Sequence, residues 1–185
     1  MLVDAEIRMA CQGDPPLITP FVEGGSLEGI SHGLTSAGYD IRLGNTLWCM
    51  EPSSVPLQLN AYESHTGFNV ATYPLESWVL LQPHSYYLGY SLEYISMPND
   101  LKGRCVGKST WARLGLLVNT TPLEPGWEGQ ITLELVNLSP RPLAVLIGGG
   151  IAQLEFERLS QPVERPYRGK YQCQIGVVPA LKKEV

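Results

Sequence analysis

Two stretches of this 185-residue chain combine residue types that could do chemistry. The first is Gly107-Lys108-Ser109-Thr110-Trp111-Ala112-Arg113-Leu114-Gly115, which sets a glycine, hydroxyls and two cations at the expected start of a short helix. Helix-start amides and hydroxyls favour anions, so this is a place to hold phosphates. The second, Glu124-Pro125-Gly126-Trp127-Glu128-Gly129-Gln130-Ile131-Thr132-Leu133-Glu134, ends on a carboxylate inside an alternating strand. Glu134 can serve there as a base for moving a proton. Phosphate binding beside such a base points to an enzyme that transforms a nucleotide.

Neither stretch matches a better-known phosphate or metal motif. Gly107-Lys108-Ser109-Thr110 ends like a P-loop, but a P-loop has glycine five residues before Gly107, where this chain has Lys102. No βαβ alternation surrounds it either. A plain capped helix start, with Ser109 as the N-cap, uses the same free amides and is compatible with phosphate binding. His32, His65 and His84 fall in separate segments, and the chain has neither HxE nor PCxxC, so no protein-held zinc is expected. Nothing resembles a nucleophile elbow. On the strand pattern alone, Glu134 reads first as a solvent-facing carboxylate, where most glutamates sit.

The elements that must position these residues are mostly strands. Near the start, Asp4 can cap a short helix that places Val3, Ile7 and Ala10 on one face, and Gly13-Asp14-Pro15-Pro16 ends it. Tyr86, Leu88, Tyr90, Leu92 and Tyr94 alternate with Tyr87, Gly89, Ser91 and Glu93, after a turn at Gln82-Pro83-His84. Thr132–Val136 alternates too, placing Glu134 opposite Leu133 and Leu135. Ala152, Leu154 and Phe156 alternate with Gln153, Glu155 and Glu157. Proline and glycine punctuate these runs as in all-β sandwiches and barrels. Gly24-Gly25-Ser26 and Glu51–Gly67 are the expected long loops.

Length and charge narrow the class further. One domain of this size buries roughly 70% of its unfolded surface and needs no disulfides. Cys11, Cys49, Cys105 and Cys173 are far apart, which suits buried free thiols. A charged N-terminus and the lack of any apolar run near 18 residues point to a soluble cytoplasmic protein with no membrane partner. Residues 1–100 carry two cations against eleven carboxylates, a balance of −9, and residues 101–185 carry eleven against seven, a balance of +4. A polyanionic ligand would meet the second half. An acidic chain without a basic stripe disfavours nucleic acid and suits a small phosphorylated ligand.

Five blocks carry a family resemblance: Ser36-Ala37-Gly38-Tyr39-Asp40-Ile41-Arg42-Leu43-Gly44, Gly107 to Gly115, Glu124 to Trp127, Thr132-Leu133-Glu134, and Lys170-Tyr171-Gln172-Cys173-Gln174-Ile175-Gly176. In this order, over about residues 30–178, they closely resemble dCTP deaminase, whose family shares its fold with the trimeric dUTPases. The resemblance implies a single mainly-β domain over residues 1–185, a dUTPase-like barrel or jelly roll with a short N-terminal helix and few others. It implies hydrolytic deamination of dCTP to dUTP and ammonia, supplying dUTP for dUMP and dTTP synthesis. Glu134 would activate water for attack on C4 without zinc, and would return the proton to the departing ammonia. Ser109 and Thr110 would hold triphosphate oxygens with Lys108 as cationic partner, and magnesium would ride on the phosphates. Arg113 would order the pocket close to Glu134 and Ser109, and Glu124 would face the deoxyribose 3′-hydroxyl. Tyr167, Lys170 and Gln174 match a C-terminal segment, residues 160–185, that closes over the nucleotide. The implied assembly is a homotrimer with shared active sites, in which Asp40 and Arg42 look structural.

The chain also departs from the family pattern. Lys108 stands where many members have arginine, Glu124 is longer than the usual aspartate, and Asn119–Leu123 is about two residues short and lacks a histidine. These touch the sugar and base contacts and leave the general base in place. A bifunctional deaminase and dUTPase that forms dUMP and pyrophosphate is the alternative enzyme, and a non-catalytic nucleotide-binding module the alternative outside catalysis. A tail that is not glycine-rich, and Trp127 where dedicated dUTPases carry tyrosine, favour the deaminase.

Overall fold

The computed structural model of the chain describes residues 1–54 and 67–181. Most of the expected Glu51–Gly67 loop, His65 included, lies outside the described residues. The first half runs α1 (Asp4–Cys11), β1 (Ile18–Thr19), β2 (Gly25–Leu27), β3 (Ile30–Thr35), β4 (Gly38–Arg42), β5 (Thr46–Met50), β6 (Phe68–Thr72) and β7 (Trp78–Leu81). The second runs β8 (Tyr86–Ser96), β9 (Leu101–Gly107), α2 (Ser109–Ala112), β10 (Leu116–Asn119), β11 (Glu128–Asn137), β12 (Leu143–Leu146) and β13 (Gly150–Arg158). The mostly-β expectation holds.

Alternation decides which side of each strand is buried. β11 buries Gly129, Ile131, Leu133, Leu135 and Asn137 and leaves Gln130, Thr132, Glu134 and Val136 half-buried, as one-sided sheets require. Its sheet has the order β10-β11-β8-β5-β6, with β1 on the end of β8. A second sheet, β2-β3-β4-β13-β9, and the small β12-β7 pair complete the fold. One hydrophobic cluster draws Leu133 and Leu135 from the first sheet, Tyr39, Ile41, Leu154 and Phe156 from the second, and Val79 and Val145 from the pair. Shared burial of this kind is what holds a β-sandwich or jelly roll together.

The β8–β11 ladder contains an irregularity with structural consequences. Gln130 faces Tyr94 but Thr132 faces Tyr90, so Ser91, Leu92 and Glu93 together oppose Ile131. Ser91 fills the missing rung: its Oγ accepts the Ile131 N–H at 2.8 Å and donates to the Glu93 carbonyl at 2.7 Å. The bulge carries the Glu93 carboxylate into the core, fully buried, where it accepts from Arg42 Nε at 2.6 Å and from the Arg42 backbone N–H at 2.9 Å. Asn137 is buried too; its amide donates to the carbonyls of Leu81, Gln82 and Arg141.

Several local expectations are corrected. Val3, not Asp4, is the N-cap of α1, and the Glu6 carboxylate accepts the Val3 N–H at 3.1 Å. Val3 is exposed; Leu2 takes the buried position instead, because its N–H donates to Phe156 O at 2.7 Å and draws the chain against β13. Gly24-Gly25-Ser26 is not a long loop. Gly25–Leu27 is a strand, because Glu28 (φ 49°) and Gly29 (φ 80°) form a tight turn that pairs it with β3. Of the four free thiols only Cys105 is buried; Cys11 and Cys49 are half-buried and Cys173 is exposed.

Burial sets an alkaline limit on stability. It pushes the Cys105 thiol up to about 12, Cys11 to about 11, and the Tyr86 phenol to about 12, from ordinary values of 9.0, 9.0 and 10.0. In the folded chain these groups keep protons that the unfolded chain releases at lower pH. Stability is therefore full below pH 9 and falls as pH rises towards 12. Thermal melts should show Tm falling across that window, by roughly 2–4 °C for each kcal/mol lost, and less steeply in Cys105→Ala. A flat Tm from pH 9 to 11.5 would contradict this.

Candidate active site

Cross-strand register builds the surroundings of Glu134. On β11 it faces Leu88 of β8 on one side and Asn119 of β10 on the other. Paired residues share a sheet face, so the Asn119 amide reaches the carboxylate and donates to Glu134 Oε2. Tyr86 lies diagonally across the same face, opposite Val136. Its phenol is pushed up to about 12, first by burial and then by the Glu134 charge, so it keeps its proton well into the alkaline range. Asn119 and Tyr86 were not among the sequence candidates. Alternation of β10 puts Asn119 on the outer face with Leu117, but which strand lies beside it depends on long-range pairing.

β10 covers the edge of β11 only from Glu134 to Asn137. The chain after β13 takes the rest. Gly129 and Gln174 pair in parallel, Gln130 N–H donates to Gln174 O at 2.9 Å, and Gln174 Nε2 donates to Gln130 O at 2.6 Å. Gly176 N–H then donates to Gln130 Oε1 at 2.7 Å, and Val178 N–H to Thr132 Oγ1 at 3.3 Å. Thr132 is on the face of Glu134, two residues away. Farther back, Tyr167 N–H donates to Pro125 O at 2.8 Å and Trp127 Nε1 to Tyr171 O at 2.9 Å. Lys170 Nζ donates to Leu181 O and lies 5.0 Å from the Tyr171 ring. Tyr167, Lys170 and Gln174 thus belong to one segment docked along residues 125–132.

The Glu124–Trp127 turn supports that segment. Trp127 N–H donates to Glu124 O at 3.0 Å with Gly126 at φ 81°, a conformation that glycine adopts without strain. A Cβ at Gly126 would also meet Pro166 at 2.5 Å. Glu124 itself is exposed and lies 3.6 Å from Lys102.

α2 links the two large sheets. Lys108, not Ser109, is its N-cap, and Ser109 is the first helical residue. The reason is that Lys108 O already accepts from Trp111 N–H at 3.1 Å and Ala112 N–H at 3.0 Å. Ser109 and Thr110 are exposed, and their amides have no partner among the described residues. Lys108 turns inward to Asp40 and Ser31. Arg113, the C-cap, is exposed and makes no ion pair among the described residues. No hydrogen bond among the described residues joins Ser109, Thr110 or Arg113 to Glu134. Leu116, three residues after Arg113, pairs with Asn137, about 10 Å along β11 from Glu134.

Among the described residues no three His, Cys, Asp or Glu side chains are grouped to hold a metal ion. His32 is on β3, and His84 is in the turn before β8 at φ 54°. No helix among the described residues is long and apolar enough to cross a membrane.

This is the sandwich of a nucleotide-deaminase fold. It superposes on 2′-deoxycytidine 5′-triphosphate deaminase from Agrobacterium tumefaciens with a TM-score of 0.62 at 22% identity, covering 84% of this chain and 47% of that one. Residues 2–159 match the dCTP deaminase-like family, to which the chain belongs. It is 40% identical to the dCTP deaminase of Acidobacterium capsulatum over 166 residues, 88% of this chain and 89% of that protein. With the dCTP deaminase of Gluconobacter oxydans it shares 37% identity over 189 aligned positions, 96% of each chain.

Proposed function

We propose that the chain converts dCTP and water to dUTP and ammonia, with Glu134 as general base and no protein-held zinc. The observation that carries this reading is the seat of Glu134: a carboxylate on an open sheet face, oriented by Asn119 and flanked by a docked tail. Glu134 takes a proton from water as the oxygen attacks C4 and delivers it to the amino group; the C4–N bond breaks, ammonia leaves, and the proton left on the C4 hydroxyl ends on N3 as the C4 carbonyl forms. General acid–base transfer of this kind contributes about 10²–10⁴-fold, and positioning supplies much of the rest. Ser109 and Thr110 receive the triphosphate with its magnesium, Arg113 orders the pocket, Glu124 faces the sugar, and Tyr167, Lys170 and Gln174 close over the nucleotide.

We place the active site between copies of a homotrimer. Separation of α2 from Glu134 within one chain supports this, since a second copy could bring Ser109 and Arg113 to that face. Leu117, 46% exposed, and half-buried Tyr86, Tyr90 and Tyr94 offer it apolar surface. Four free thiols suit the cytoplasm, where such an enzyme would feed dUMP and dTTP synthesis.

The test is chromatography of products from parallel reactions with dCTP and dUTP, both with magnesium. Accumulating dUTP in the first and no reaction in the second is the expected result. Formation of dUMP and pyrophosphate would make the enzyme bifunctional, and two unchanged tubes would leave only a binding module. Asn119→Ala should lower kcat about 10- to 100-fold by releasing the base from its orientation, with KM little changed. An unchanged kcat would remove Asn119 from the site.

A further inference from the structure

Building on the deaminase reading, we infer that Lys108 is a positioning residue rather than a phosphate ligand. Paired with Asp40, it fixes the turn that presents Ser109 and Thr110. An ammonium has three N–H donors, and here all three are committed. They go to Asp40 Oδ2, to Ser31 O at 2.9 Å and to Ser31 Oγ at 2.8 Å. The Lys108 and Asp40 side chains are only 10% and 6% exposed. Asp40 is held at both oxygens as well, since Ser31 Oγ donates to Oδ2 at 3.2 Å and Gln153 Nε2 to Oδ1 at 3.2 Å.

The acceptors stand on a rigid base. Ser31, Asp40 and Gln153 come from β3, β4 and β13, three neighbouring strands in which Asp40 faces Gly33 on one side and Gln153 on the other. A second anchor holds α2 from its far side: Trp111 is 2% exposed and its Nε1 donates to Gly150 O at 2.8 Å. Ser109 and Thr110 are the two exposed residues between the anchors. A compact charge with three rotatable donors fits such a three-acceptor socket, and the neutralised pair leaves Arg113 as the open cation of this turn.

The two roles for Lys108 differ in what loss of Asp40 does. As a ligand, Lys108 would be freed by Asp40→Asn and would hold dCTP as well or better. As a strut, it loses its socket, and Asp40→Asn should raise KM for dCTP roughly tenfold although no phosphate contact has been touched. The experiment is a double-mutant cycle of Asp40→Asn, Lys108→Met and the pair, reading KM and kcat for dCTP with Tm alongside. In the Asp40→Asn background, Lys108→Met is expected to add less than about twofold, the non-additivity of two residues acting as one unit. A KM within twofold of wild type in Asp40→Asn, with a large rise in Lys108→Met alone, would overturn the inference in favour of a ligand. Falling Tm with KM unchanged throughout would reduce the pair to scaffolding and also overturn it. Should either variant fail to fold, Ser31→Ala keeps both charges and is expected to raise KM at least about twofold; an unchanged KM counts against the strut. Wild-type protein that leaves dCTP intact would sink the deaminase reading separately. The same cycle is then read by calorimetry as affinity for inorganic tripolyphosphate, with the same expected pattern.

Discussion

Glu134→Gln is expected to lower kcat for dCTP by about 10²–10⁴-fold while dCTP still binds. Glutamine keeps the length and shape of the side chain, and its carbonyl oxygen can still accept from the Asn119 amide. What it cannot do is take a proton from water. The loss should therefore fall on kcat, and dCTP binding, measured by calorimetry, should stay near the wild-type value. A variant with near-normal turnover would show that some other group is the base.

The second large effect concerns stability and lies away from the chemistry. Arg42→Met leaves the fully buried Glu93 carboxylate with the Arg42 backbone N–H and no counter-charge. Removing one partner of a buried pair costs about 3–5 kcal/mol, because the survivor is a desolvated, uncompensated charge. Such a loss is a large part of a typical 5–15 kcal/mol total and should lower Tm by roughly 10 °C. Guanidinium unfolding followed by tryptophan fluorescence would measure it. Adding Glu93→Met should recover much of the loss, since an apolar pair carries no desolvation penalty. An Arg42→Met midpoint equal to that of wild type would mean that water reaches Glu93 and the pair contributes little.

Glu93 also shows where sequence reading stops. The period of β8 was legible, but its orientation was not. Tyr86, Tyr90, Leu92 and Tyr94 look like the inward set, yet they are half-buried, while Gly89, Ser91 and Glu93 face the core. Arg42 and Ile131 N–H satisfy Glu93 and Ser91 from strands far away in sequence, and no local pattern encodes those partners. β11 and β13 were legible in both period and face over Thr132–Val136 and Ala152–Glu157, because there the inward residues are the apolar ones. At the candidate site, Glu134 and the helix start could be picked out by residue type. Asn119 beside Glu134 and Asp40 beneath Lys108 could not, since each is set by register between strands. The N-cap was misplaced by one residue because Lys108 caps through its backbone carbonyl, which every residue has.

The bulge in β8 also limits how the length of this strand can vary. Three residues there oppose one, so β8 contains two more residues than regular pairing would need. Because side chains alternate with a period of two, an even change in length keeps every residue beyond it on its present face. Loss of two residues from Ser91–Glu93 would straighten the strand, while Tyr94 would stay outward and Ile95 inward. Loss of one would carry Ile95 into solvent and Tyr94 into the core. Relatives with a shorter or longer β8 should therefore differ from this chain by pairs of residues, a parity rule that can be read directly from aligned sequences.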